Sequence, residues 1–235
     1  MFLTLAVVVC CLAANAQDKV IHDPNAQVRS VTTFHGIHVA TGIHLYLTQS
    51  TENKVVVSAS DVEVRDRIVT EVKNGILHIY YDHSGFEWRD LSGKNMNVYV
   101  SCTTLDELEA NSGSHVMVDG TIKSANLAFD FSSGAHFTGK VETSDLKVDE
   151  SSGAHSDISG TAGHVKAETS SGAALNGYDL HADICDASAS SGGHIYISVE
   201  KEMSVSAHSG GHIRYQGAGV IREVNTSSGG SVSRN

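Results

Sequence analysis

The chain has 235 residues, 40% of them hydrophobic, 18% charged and 6% aromatic, with a formal net charge of −11 when its 14 histidines are neutral. That composition supplies a modest core for one or two domains and excludes a disordered chain. The acidic balance argues against nucleic acid and anionic membrane surfaces as partners.

Met1 to Ala16 is an apolar run closing on Ala14-Asn15-Ala16, a small-x-small cleavage pattern ahead of Gln17, and it predicts a secretory signal peptide over 1–16. No Lys or Arg precedes its apolar stretch, and Val9 before Cys10 is not the small residue that a lipid anchor calls for. The expected location is the periplasm, the outer-membrane surface or the extracellular space. No later segment approaches the ~20 apolar residues of a membrane span. Residues 17–27 read as a short linker.

From 28 to 100 the pattern is that of strands: Phe34 to Val39, Gly42 to Thr48, Val55 to Ser58 and Ile76 to Tyr81 alternate or run apolar, with Asn74-Gly75 as a tight turn. Asp61 to Val72 fits either a short helix or a further strand. Solenoids need their open ends blocked, so this region is expected to be an N-terminal β-rich cap with the first coils. Its loop Gly85-Phe86-Glu87-Trp88-Arg89 places two aromatic side chains, Phe86 and Trp88, that suit either ligand binding to a glycan or protein partner or the covering of an apolar edge.

From 101 to 235 one signature recurs about every nineteen residues, centred on Gly113, Gly134, Gly153, Gly172, Gly192, Gly210 and Gly229, in forms such as Ser132-Ser133-Gly134-Ala135-His136. The fixed period without helical patterning predicts a chain that coils once per repeat. Alternate residues on both sides of each glycine are small or apolar, giving at least two strands per coil with one face inward. Gly120, Gly139, Gly160, Gly177 and Gly217 stand where a second corner is needed. The expected fold is all-β, a right-handed parallel β-helix. The hand follows from the missing six-residue beat of left-handed forms and from the usual hand of parallel crossovers.

Val31 to Val39, Asn74 to Ile79, Leu105-Asp106-Glu107-Leu108 and the Ser-Ser-Gly ladder together resemble the auto-transporter adhesin "head GIN" domain family of bacterial envelope proteins, over nearly all of the mature chain. The resemblance implies an exported β-helical domain, adhesion by family name, and no established catalytic residues. Where the family's ladder is small and polar, this chain adds histidine.

His115, His136, His155, His194 and His212 all stand two residues after a repeat glycine, interrupted by Ala174 and ended by Ser231. Alternation turns them outward as a row with a spacing of ~4.8 Å. His115, His136 and His155 are the candidate ligands for a divalent metal such as Zn²⁺ or Cu²⁺; the alternatives are a stacked polar row and a row charged at acid pH. Glu109, Asp130, Asp149 and Glu168 form a second row, its repulsion offset either by Lys147 and Lys166 or by Ca²⁺. Cys102 and Cys185 fall on the order of 20 Å apart in such a stack and are expected to stay unpaired.

Two function classes follow. One is a non-catalytic, adhesin-like interaction module, whose partners would be a surface glycan or a protein and whose open edges would allow homo-oligomers. The other is a carbohydrate-active β-helix enzyme, a lyase or glycoside hydrolase, which would need an acid–base pair in a groove. The arginines of the repeat region, Arg214, Arg222 and Arg234, adjoin no acidic pair in the repeat, and the coils lack insertions to wall a cleft. Phosphate-binding loops, HExxH and CxxC motifs and a serine nucleophile elbow are missing from the sequence. The expectation is therefore a non-enzyme without a cofactor.

Overall fold

A computed structural model describes residues 25–84 and 93–235. The leader 1–16 and the loop bearing Phe86 and Trp88 lie outside the described residues. The N-terminal elements are β1 (Gln27–Arg29), β2 (Gly36–Val39), β3 (His44–Gln49), β4 (Lys54–Ala59), α1 (Val62–Asp66), β5 (Ile68–Lys73), β6 (Ile76–Tyr81), β7 (Met96–Cys102) and β8 (Glu107–Ala110). The repeats form β9 (His115–Phe131), β10 (His136–Glu150), β11 (His155–Thr169), β12 (Ala174–Ala189), β13 (His194–Ala207), β14 (His212–Gln216), β15 (Val220–Thr226) and β16 (Ser231–Arg234).

The repeats stack as a parallel β-solenoid. β9 through β13 pair in parallel, each with the next, and equivalent positions meet: His136 opposite His155, Leu146 opposite Val165, Asp149 opposite Glu168. Where at least two short strands per coil were expected, β9 to β13 are each one long bent strand, with register shifts between Thr138 and Lys140, Asp157 and Gly160, and Gly177 and His181, while the next coil keeps two strands, β14 and β15. Its first half builds one wall, its second half the other, and both send apolar residues into one core. Gly160 shows why the bend takes glycine there: its φ is +112° and an added Cβ would lie 2.0 Å from the Val141 carbonyl oxygen. Gly139 and Gly177 have no positive φ, so the corner does not demand the same backbone in every coil.

The other corner is uniform. In Ser132-Ser133-Gly134-Ala135, Ser133 and Gly134 have φ of 53° and 72°, and the Ala135 amide donates to the Ser132 carbonyl at 3.0 Å. Two consecutive left-handed residues make a type I′ turn, which serine tolerates at a cost and glycine does not resist. Successive turns are tied: Gly113 N–H donates to Ser133 O at 3.0 Å, Gly134 to Ser152 at 3.1 Å and Gly153 to Ser171 at 3.1 Å. Such bonds offset the strained serines and keep the corner in line. The residue after the glycine points inward and is fully buried at Ser114, Ala135, Ala154 and Ala173. Phe129, Phe131 and Phe137 cluster inside the core, with ring centroids 5.1 to 5.5 Å apart.

One further turn stands outside the nineteen-residue interval. Thr41 and Gly42 repeat the left-handed pair at φ 63° and 68°, the Gly42 amide donates to Ser112 O at 3.0 Å, and His44 lies opposite His115. β2 and β3 are thus a rung of the solenoid itself, flanked on their other side by the parallel strands β6 and β7. Beyond these, β4 pairs with β7 and β5 with β6 in antiparallel fashion, and β1 adds to β4. The stretch 61–72 resolves into both alternatives: α1, capped by the Asp61 carboxylate on the Val64 amide at 2.9 Å, and most of β5. At the opposite end β15 and β16 continue the inward columns without a rung above them, leaving Val224, opposite the buried Val205, exposed.

Candidate functional site

The first wall carries two outward columns. One runs Asn97, His44, His115, His136, His155, Ala174, His194, His212, Ser231 through the strand registers. The structure therefore brings His115, His136 and His155 together and adds His44, giving four consecutive imidazoles. Their ring centroids are 5.0 Å apart for His44 and His115, 4.8 Å for His115 and His136, and 6.0 Å for His136 and His155. The central pair is parallel to within 4°, a face-to-face stack. Lone pairs lie in the ring plane, so parallel rings aim their nitrogens side by side and not at a common point. Among the described residues, no group of three or more His, Cys, Asp or Glu is placed to hold a metal ion. Burial, then the neighbours His44 and His136, hold the His115 pKa below its ordinary value. Burial and His212 do the same for His194.

The second column runs Val56, Tyr99, Tyr46, Met117, Thr138, Asp157, Asn176, Tyr196, Arg214, Ser233. Tyr46 and Tyr99 stack at 4.8 Å and 14°, beside His44 and the exposed Met117. Tyr196 stacks on His194 and meets Tyr178 at 5.4 Å. Apart from imidazoles, only Asp157 and Arg214 carry charge in these two columns. This face is flat, aromatic and nearly neutral on a chain of net charge −11.

The acids stand on the other wall. Glu109, Asp130, Asp149 and Glu168 align as expected, and the row continues past Glu109 to His38 and His78. Adjacent carboxylates at this spacing repel by about 1 kcal/mol in water. Lys147 meets Asp149 at 2.5 Å, Lys166 meets Glu168 at 2.9 Å, and His38 reaches Glu107 at 2.9 Å and Glu109 at 3.3 Å. Asp130 has a raised pKa, through burial first and then Glu109 and Asp149. Asp130, Asp149 and Glu168 border an open depression of about 260 Å³ together with Ser151, Ser170 and Ser190.

One polar group inside the core went unread in the sequence. Glu150 occupies the inward column Ala110, Phe131, Glu150, Thr169, Ala189 and Ala207. It is 3% exposed, and Ser156 donates to its Oε1. Burial pushes the carboxyl up to about 8. A carboxylate in an otherwise small or apolar column is the signal that would have found it. Cys102 and Cys185 are free and buried, as expected.

Among the described residues no helix is long and apolar enough to cross a membrane. No curated protein matches the chain by sequence. A crystal structure from Bacteroides fragilis NCTC 9343 called a "putative adhesin" superposes with a TM-score of 0.81 at 18% identity, over 89% of this chain and 96% of that one. Another "putative adhesin", from Parabacteroides merdae ATCC 43184, gives 0.69 at 13% identity over 89% and 95%. A "putative lipid binding protein" from Parabacteroides distasonis ATCC 8503 gives 0.63 at 16% identity over 92% and 98%. At these identities the likeness is one of fold. The family model described as "Putative auto-transporter adhesin, head GIN domain" matches residues 33–219, and the chain belongs to that family.

Proposed function

We propose that the chain is an exported, non-catalytic, adhesin-like module of the cell envelope, and that it binds through the wall bearing the imidazole and tyrosine columns. The family and the apolar leader 1–16 support export and adhesion. The observation that carries the choice of face is the segregation of charge. Acids crowd one wall, while the other offers stacked rings that can bury apolar area and imidazoles that can donate or accept hydrogen bonds. That combination suits a glycan or a polar protein surface. Phe86 and Trp88 are proposed as a second aromatic contact, and His115, His136 and His155 as a site that Zn²⁺ or Cu²⁺ enters only when a ring turns out of the stack.

The test is a glycan and matrix-protein panel probed with the chain from Gln17 onward. Tyr46→Ala and His115→Ala are expected to lose a ligand that Asp149→Ala retains. Binding that follows Asp149 instead, or that ignores all three, would overturn the choice of face.

A further inference from the structure

The two ends of the solenoid are closed differently. At the N-terminal end each wall is capped by an antiparallel strand: β4 lies along β7 on the first wall and β5 along β6 on the second, with Val55, Val57 and Ile68 entering the core. At the other end the first wall finishes in β16 on β14 and the second in β15 on β13, and among the described residues neither has a strand on its far edge. Such an edge is a row of unpaired amides and carbonyls that accepts a further strand. Ser231 and Asn235 donate back to Gly211 and Tyr215, and Ser227 donates back to Ala207. By alternation, the backbone groups of Val232 on β16 and of Val224 and Thr226 on β15 point away from the solenoid. Val224 and Val232 also turn their side chains inward, opposite Val205 and Ile213, yet Val224 is 49% exposed. The end is stepped as well. β14 and β15 belong to one coil, both pairing with β13, and β16 lies one rung beyond β14. The first wall therefore stands one rung higher than the second, and whatever covers both must carry the opposite step.

We infer that the cover is the same end of a second copy, turned about a two-fold axis parallel to the strands. That rotation sets the first wall of one copy on the second wall of its partner and keeps the apolar side of both facing inward. The two walls run in opposite directions, so β16 meets the partner's β15 antiparallel, the pairing that already caps each wall at the N-terminal end. High step meets low step at both junctions at once. A two-fold perpendicular to the walls would set like on like, and pairing β16 with its own copy would then leave a gap of two strands between the β15 edges. With the axis along the strands, Val232 stands opposite the partner's Val224 with backbone groups facing and both side chains inward, so one core runs through two chains. The symmetry uses both open edges of each copy, and the assembly closes at two. The dimer does not depend on the binding face proposed above, but it gives that face a geometry: the two imidazole and tyrosine walls look in opposite directions.

The experiment measures the mass of the chain from Gln17 onward by light scattering across a dilution series, with no ligand present. A dimer that dissociates on dilution is expected. Val224 and Val220 are the test pair: they are 49% and 58% exposed, but Val220 lies opposite Glu202 on the outer surface. Val224→Lys is expected to raise the dissociation constant about a hundredfold or more, by placing an unpaired charge in the joint core, and Val220→Lys to change it by less than about threefold. Circular dichroism checks that each variant keeps its fold. A second readout pairs Val224→Cys with Val232→Cys in one chain under mild oxidation. Facing residues of antiparallel strands stand about 5.5 Å apart at Cα, within reach of a disulfide, so a covalent dimer is expected from the double variant and from neither single one. Cys102 and Cys185 are buried and do not compete. A chain that stays monomeric throughout the series would overturn the inference. So would a dimer indifferent to Val224→Lys, or one that Val220→Lys weakens as much. A cross-link formed by Val224→Cys alone would mean like-on-like pairing and would overturn the stepped joint.

Discussion

The Glu150 carboxyl and the Thr169 hydroxyl stand opposite each other on adjacent rungs inside the solenoid, each 3% exposed and each with an oxygen that finds no hydrogen-bond partner among the described residues. A buried ionised carboxylate so placed would be costly, and the group stays protonated at neutral pH instead.

The consequence for stability has a definite sign. The folded pKa of Glu150 is about 8 against the ordinary glutamate value of 4.5, so between these limits the folded chain holds a proton that the unfolded chain has released. Stability is therefore full below about pH 4.5 and falls as pH rises toward about 8, by up to a few kcal/mol. Glu150→Gln is expected to flatten this slope, raising Tm more at pH 8 than at pH 5. Thermal unfolding across that range decides it, and an unchanged slope in the variant would place the proton elsewhere.

Two glycines are predicted to differ in what they tolerate. An added Cβ at Gly134 meets nothing within 4 Å, so Gly134→Ala carries only the left-handed backbone penalty of about 1–2 kcal/mol. At Gly160 the same methyl would lie 2.0 Å from the Val141 carbonyl oxygen, and Gly160→Ala is expected to cost several kcal/mol more. Urea midpoints compare them directly; equal losses would mean that the bend relaxes freely.

Cys102 and Cys185 are buried thiols whose pKa values burial pushes up to about 11 and about 12. The thiolate is the reactive form, so both are expected to resist alkylation in the native chain and to give two adducts after denaturation without reductant. Intact mass spectrometry reads the count, and a chain with no adducts would reveal a disulfide.

Because the rings of His115 and His136 lie parallel, Zn²⁺ must compete with the stack. Titration calorimetry of metal-stripped protein is expected to show weak binding that His136→Ala removes. Tight binding that ignores His136→Ala would locate the ion away from this row.

The solenoid was legible because its corner is written in a fixed word: a left-handed pair is best served by a small polar residue and glycine, and the interval sets the coil. The outward row was legible for the same reason, since position relative to Gly134 or Gly153 decides which way a side chain faces. Thr41-Gly42-Ile43-His44 was not, because the word appears once, with threonine for serine, far from its spatial neighbour. The Tyr46–Tyr99 stack was hidden likewise: the order of β7, β3 and β9 in the sheet differs from their order in the chain. Glu150 was readable in principle, but only by following an inward column from coil to coil.

The rung made by β2 and β3 leaves a mark on how the chain folds. Most neighbouring coils join residues about nineteen apart, whereas β3 meets β9 across about seventy residues and must also receive β7. The longer closure adds only about 1 kcal/mol of entropy but postpones the contact until the intervening chain is in place. The strands synthesised early are thus among the last to have both edges covered, and His44 takes its place at the head of the imidazole row only when the cap has closed over it.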